Sequence, residues 1–391
     1  MPTARSTVQG ALPGRAGRQP WRGPSGRLRP MATRQTPLPV DLEGVPEVRR
    51  AVAGHGLGSL LPETVHSFHG RNDNWSGRTT TGAQIFVKRI QGPDAQQRLR
   101  RTVLFEELNG TCRAPVPAPR CLGWDEPSGI VIYEQLGGAR NAADLADDAA
   151  FTEDLAREAG KVVGRLHGMS VDRRARHEPR EPWLTDPRQA VSAEAYAQAS
   201  GALLELWGLF QRDTTLAAAV DALHHRTHQV TPTPIHGDLR LDQFLCADDA
   251  VCMVDWEEFG CADPAQDIGS FVGEWIYRAV SAGVTDSPAD SETLMRSWGR
   301  EMDRRMPFIR AFWAGYTDNR PLTDPELGVR TAGYTGWHLL DRVMAGCQER
   351  SRLTAVQKAQ TGIARTLLLD SGQLSAITGI GAHTSSKEMA A

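Results

Sequence analysis

Apolar and polar positions follow strand-like patterns in the first third of the chain and helical ones in most of the rest. Thr81-Gly82 reads as a turn, and Ala83-Gln84-Ile85-Phe86-Val87-Lys88-Arg89-Ile90 as the strand that follows it, with a lysine near its end. From Gln96 to Leu108 the spacing becomes helical, with Leu99, Val103 and Leu108 near one face. Val131-Ile132-Tyr133-Glu134-Gln135-Leu136-Gly137-Gly138 is an apolar strand running into a glycine hinge. Phe151 to Met169 carries a stripe of Leu155, Ala159, Val162, Leu166 and Met169, the pattern of a central amphipathic helix. A polar, proline-containing linker follows from Pro179 to Pro187, and Ala190 to Gln229 reads as one or two helices.

The short apolar runs Phe244–Leu245 and Val251–Val254 predict a hairpin, with a His236-Gly237-Asp238 turn before it and Asp255 at its end. Beyond that loop, Phe271 to Ala282, Ser291 to Phe312, Pro325 to Glu349 and Thr354 to Leu374 show helical spacing separated by Gly or Pro. The pattern predicts an α+β protein in two lobes. A small antiparallel-sheet lobe spans 41–136, and a larger, mainly α-helical lobe spans 137–380.

Composition narrows the class. A chain of 391 residues, 40% of them hydrophobic, buries a core large enough for two lobes. No apolar run approaches bilayer-spanning length and no secretory start is present, so a cytoplasmic protein without membrane partners is expected. A formal charge of -3 provides no general attraction to nucleic acid. Six cysteines without a CxxC pair suit reduced thiols better than a disulfide framework or a zinc site. Residues 1–40 hold seven Arg, no Lys and no acidic residue among many Pro and Gly, a disordered tail by composition; a start at Met31 is the simpler reading of it, with Met1 left open. Residues 381–391 are expected to be a second flexible tail.

The chemistry lies between Pro234 and Asp267. Asp238 and Asp255 are spaced so that a turn and a hairpin can point two carboxylates into one cleft, which suits phosphoryl transfer. One carboxylate positions the attacking hydroxyl and accepts its proton, and the other holds a divalent cation against nucleotide phosphates. Asp238 is assigned the first task and Asp255 the second. Arg240 is a candidate to neutralise the transferring phosphate, with a local salt bridge to Asp242 or Glu257 as the plainer reading. Lys88 is one of only four lysines, so its place in an apolar strand is conspicuous, and phosphate binding is its expected role. The polar loop Phe68 to Gly77 has little free glycine backbone, so phosphate contacts are expected partly from Asn72, Asn74, Ser76 or Arg71. Backbone at Glu134 and Leu136 in the hinge is expected to hold an adenine.

His236-Gly237-Asp238, Val254-Asp255-Trp256-Glu257 and Asp263-Pro264 with Asp267 resemble the aminoglycoside phosphotransferase and choline kinase superfamily. The resemblance implies a protein-kinase-like bilobal fold with ATP and Mg²⁺ as cofactors. It also implies a glutamate on the first helix that fixes Lys88, for which Glu106 is favoured over Glu107. Five residues after Asp238 the family usually has Asn as a second metal ligand; this chain has Gln243, whose amide oxygen is one methylene further out, with Asp242 beside it as substitute. Within the superfamily, Gly70-Arg71-Asn72-Asp73-Asn74-Trp75, Phe86-Val87-Lys88-Arg89 and the run from His236 to Phe244 look most like the phosphotransferase subunits of class V lanthipeptide and thioamitide biosynthesis. That likeness implies phosphorylation of Ser and Thr in a ribosomal precursor peptide, followed by elimination on a partner lyase. Two alternatives remain open from the residues: an O-phosphotransferase for an aminoglycoside, choline-like or sugar hydroxyl, and a nucleotide-binding scaffold that has lost its chemistry with Gln243.

Overall fold

A computed structural model describes residues 38–39, 44–68, 71–171, 191–248, 250–283, 291–372, 378 and 380. Most of the Arg-rich tail, the 179–187 linker, the loop glycine Gly70 and the 381–391 tail lie outside the described residues. The strands are β1 (Leu38–Pro39), β2 (His66–Phe68), β3 (Asp73–Arg78), β4 (Gln84–Arg89), β5 (Cys121–Asp125), β6 (Ile130–Glu134), β7 (Arg140–Asn141), β8 (Thr233–Ile235), β9 (Phe244–Ala247), β10 (Ala250–Met253) and β11 (Gly260–Ala262). The helices are α1 (Pro46–Gly54), α2 (Ala95–Thr111), α3 (Ala142–Asp147), α4 (Glu153–Gly168), α5 (Ala193–Gln198), α6 (Gly201–Arg212), α7 (Thr214–His228), α8 (Ala265–Gly283), α9 (Ser291–Asn319), α10 (Leu327–Gly346) and α11 (Ala355–Leu369).

The first lobe is a six-stranded sheet in the order β1-β2-β3-β4-β6-β5, antiparallel at every junction. Its register sorts side chains onto two faces, because directly paired residues point the same way. Trp75 pairs with Val87 and Val87 with Ile132, and with Ile85 these form an outer-face core with Val48 and Val52 of α1. The other face carries Asn74 opposite Lys88, Lys88 opposite Val131, and Phe86 between Ser76 and Tyr133. On this side α2 lays Leu99 and Val103 against Val131.

Helix α2 runs past both ends of the predicted 96–108, and its Phe105 is buried in the core of the second lobe, stacked on Trp256 with ring centroids 3.4 Å apart. In that lobe, α4 packs along α9 and α8 along α10. The β9–β10 hairpin pairs Phe244 with Met253, and β8 pairs with β11, so the two candidate acids emerge from neighbouring turns. Helix α8 starts earlier than its periodicity suggested, since Asp263 Oδ1 accepts the Ala265 N–H at 3.0 Å and holds its first turn. Helix α9 likewise runs past Phe312 to Asn319 and accommodates Pro307 in its interior. All six cysteines are free thiols, and no described helix is long and apolar enough to cross a membrane.

Candidate active site

The His236-Gly237-Asp238 turn is held from below by Asp267, in the first turn of α8. Its Oδ2 accepts the His236 N–H at 2.7 Å and its Oδ1 the Gly237 N–H at 3.0 Å. His167 Nε2 is 3.1 Å from the same carboxylate, and Tyr316 meets the other ring nitrogen at 3.1 Å. Burial opposes the Asp267 charge, but these donors outweigh it and keep the carboxyl below its usual range. His236 Nε2 lies 2.9 Å from the Val254 carbonyl, which ties the turn to the hairpin end that presents Asp255. Gly237 has φ +81°, and a Cβ there would lie 2.3 Å from the Glu258 carbonyl oxygen. Only glycine fits this backbone.

Asp238 leaves the turn 45% exposed, the exposure a base needs to reach an incoming hydroxyl. Arg240 sits beside it, with Nη2 3.7 Å from Asp238 Oδ2 and Nε 3.3 Å from Asp242 Oδ1. Burial works against the guanidinium charge, but Asp238 and Asp242 outweigh it and hold Arg240 more firmly in its charged form. The structure thus includes the plainer reading of Arg240, the Asp242 pair, together with a cation next to the candidate base.

Gln243 follows on a 3₁₀ turn, Leu241–Gln243, and is 4% exposed. Its carbonyl accepts the Val254 N–H at 3.0 Å, bringing the backbone of Gln243 beside that of Asp255. Asp255 adopts the left-handed conformation, φ 73° and ψ 60°, at the end of the hairpin. That conformation costs a non-glycine residue about 1–3 kcal/mol and turns its carboxylate toward the sheet lobe. There Asp255 Oδ1 meets Lys88 Nζ at 2.5 Å. Burial penalises both charges, yet their mutual attraction prevails, raising the lysine and lowering the aspartate.

The partner expected for Lys88 on α2 requires correction. The second carboxylate on Lys88 is Glu257, whose Oε1 is 2.6 Å from Nζ. Glu106 instead shares a hydrogen bond with Tyr133, and burial pushes its carboxyl up to about 7. Glu107 is exposed. The reason is the rotation of α2: Phe105 points into the second lobe's core, which turns its neighbour Glu106 toward β6.

Asn72 also departs from expectation. Rather than reaching toward phosphate, it is 7% exposed, donates to Glu257 Oε1, and accepts from Gln91 N–H at 3.2 Å and Arg98 Nη2 at 3.0 Å. Asn74 and Ser76 share the Lys88 face of the sheet, though Ser76 is buried and Asn74 Nδ2 donates to the Asn72 carbonyl at 3.3 Å. At the hinge, the Glu134 N–H is taken by Arg120 O at 2.9 Å and that of Gln135 by Gln84 O at 3.0 Å; Leu136 follows beyond the strand. Phe86, two residues before Lys88, and Phe68 opposite Asn74 stand on the cleft face with ring centroids 6.1 Å apart. The sequence reading missed them as an aromatic surface, although the alternation from Lys88 back to Phe86 carried the signal.

Lys88 and Asp255 thus meet between two lobes of the kinase type, with Asp238 on the turn that His236 ties to the same hairpin end. The phosphotransferase enzyme family model matches residues 65–308, more than half of the chain. The chain belongs to this family and is an ATP-dependent phosphotransferase acting on hydroxyl groups. Among solved structures, amicoumacin kinase hAmiN in complex with AMP-PNP, Ca²⁺ and Ami is similar with a TM-score of 0.51 at 15% identity, over 85% of this chain and 94% of that one. Choline kinase LicA from Streptococcus pneumoniae gives 0.49 at 14% identity over 84% and 98%. The streptomycin–ATP complex of APH(2")-IIa gives 0.47 at 12% identity over 84% and 99%. None of the curated proteins matches the chain.

Proposed function

We propose that the chain phosphorylates Ser and Thr hydroxyls of a ribosomally made precursor peptide, preparing them for phosphate elimination by a partner lyase. Asp238 orients the hydroxyl and accepts its proton as the oxygen bonds to the γ-phosphorus and ADP departs. Lys88 binds the nucleotide phosphates, and Arg240 offsets negative charge on the group in transfer. Phe86 and Phe68 offer an apolar surface for the adenine, with the hinge at Glu134 and Leu136 along its edge. The donor set fits a hard cation, since an aspartate carboxylate and an amide oxygen leave positions for water and phosphate oxygens. Asp255 and Gln243 would hold that Mg²⁺, which supplies Lewis-acid stabilisation of the phosphate oxygens.

The observation that carries the choice of acceptor is Arg240, 3.7 Å from Asp238. With Arg240 engaging the carboxylates of Asp238 and Asp242, the base offers no free anion to an acceptor crowded with ammonium groups and leaves a neutral peptide hydroxyl unhindered. The sequence likeness to the class V lanthipeptide subunits supports the same reading. A small-molecule hydroxyl is the second reading, favoured by the likeness to an amicoumacin kinase.

The test is incubation with ATP and Mg²⁺ alongside a Ser/Thr-rich precursor peptide, with and without its lyase, and separately with amino sugars, choline and simple sugars. Peptide mass gain of one phosphate, or loss of water when lyase is present, supports the first reading. Phosphorylation confined to the small molecules supports the second. Nucleotide binding without any transfer would leave the scaffold alternative.

A further inference from the structure

Helix α2 places a cation where a kinase-like lobe is expected to supply its lysine-fixing anion. Arg98, 0% exposed, donates through Nε to Glu257 Oε2 at 2.8 Å and through Nη2 to the same oxygen, while its Nη1 donates to the Gln91 carbonyl at 2.8 Å. Glu257, 6% exposed, therefore receives Arg98 on one oxygen and Lys88 with Asn72 on the other. Neither charge is stable so far from water without the other. Asp255 pairs with the same Lys88, and Asp94, 3.6 Å from Arg98 Nη1, is itself paired with Arg71, so each buried cation faces an anion. The contacts of Arg98, Asn72 and Lys88 with Glu257 cross from the sheet lobe to the turn after Asp255, while Arg98–Asn72, Arg98–Gln91 and Gln91–Asn72 tie the brace together within the sheet lobe.

We propose that Glu257 is the positioning residue that aims Lys88, in place of a carboxylate from α2, and that Arg98 and Asn72 hold Glu257 for this task. The assignment relies on the phosphotransferase reading for what Lys88 does, but not for how Lys88 is held. Glu257 belongs to the same turn as Asp255, so the lysine and the metal-assigned acid are set by one rigid segment. Trp256, stacked on Phe105 between them, locks that segment to α2. Movement of α2 away from the second lobe would break the Arg98 contact and loosen Lys88, which couples lobe closure to lysine alignment.

The chain's four lysines make a direct test practical. Lys88 is 12% exposed, against 30% for Lys161 and 56% for Lys358. In lysine-selective ¹⁵N spectra its ammonium group should give a sharp correlation in the wild-type protein. Glu257→Gln should broaden that signal and lower Mg-ATP turnover with water as acceptor by about tenfold or more, with nucleotide affinity changed less than threefold. Glu257→Asp should recover part of the turnover, and Glu106→Gln should leave turnover and signal unchanged. Adding Glu257→Gln to Lys88→Met should cost nothing beyond Lys88→Met alone.

If Glu257→Gln unfolds because Arg98 is orphaned, the pair Arg98→Gln/Glu257→Gln removes both charges and is read in the same way. An unchanged Lys88 signal and unchanged turnover in these variants overturn the assignment, as does a Glu106→Gln variant that reproduces the losses. A wild-type protein that neither binds nor turns over ATP would defeat the phosphotransferase reading, while the lysine spectra would still decide which carboxylate holds Lys88.

Discussion

Lys88 Nζ lies 2.5 Å from Asp255 Oδ1 across 167 residues of sequence, joining the fourth strand of one lobe to the hairpin end of the other. In the nucleotide complex these two side chains are assigned to opposite partners, the lysine to phosphate oxygens and the aspartate to the cation. Their contact here keeps each ionised and in place. Asp255→Ala should therefore weaken Mg-nucleotide binding itself, by about tenfold or more, since a good charge-assisted contact is worth about 1.5–3 kcal/mol. Titration calorimetry with Mg-ATP checks this, and unaltered affinity would remove Asp255 from the metal site.

Asp238 is assigned only the hydroxyl proton, so its effect should appear in turnover. Asp238→Asn keeps the shape of the side chain and should lower kcat roughly 10²–10⁴-fold while the nucleotide dissociation constant stays within about twofold. Transfer at the wild-type rate would refute the role.

Gly237→Ala tests the backbone of the catalytic turn. The added methyl meets the Glu258 carbonyl oxygen at 2.3 Å in a backbone with φ +81°. A destabilisation of at least about 1–3 kcal/mol is expected from the backbone conformation alone. Denaturant melts measure it, and turnover should fall as well, because the Asp267 hydrogen bonds depend on that turn.

Glu106 should make stability depend on pH. Burial raises its carboxyl from about 4.5 in the unfolded chain to about 7. Between those values the folded state keeps a proton that the unfolded state has lost, so stability falls as pH rises through that window. The full effect is on the order of 3 kcal/mol. Glu106→Gln should match the wild-type melting temperature near pH 4, below both values, and exceed it near pH 8. Parallel curves across that range would show that Glu106 ionises without cost.

Some of this geometry could be read before any coordinates. Lys88 stood out as a charge in an apolar strand, and Asp238 and Asp255 as isolated acids at a turn and a strand end, all of them local patterns. The helices of the second lobe were legible from spacing, though α8 starts earlier than its apolar pattern suggested, at the local Asp263 cap.

Other features could not be read because they depend on angles between elements. Glu106 and Glu107 both stood on α2 near the expected depth, and the rotation set by Phe105 turned neither toward Lys88. Asn72 looked like a loop residue free for phosphate until Arg98 and Glu257 closed on it from 26 and 185 residues away.

The amino-acid order alone determined which residue types sit at strand ends and tight turns, because alternation, helical spacing and glycine requirements act over a few neighbours. Which carboxylate steadies Lys88 was decided only in the folded molecule. A buried cation takes the nearest anion that is itself braced, and nearness across two lobes is set by the packing of Phe105 on Trp256, which no run of sequence specifies.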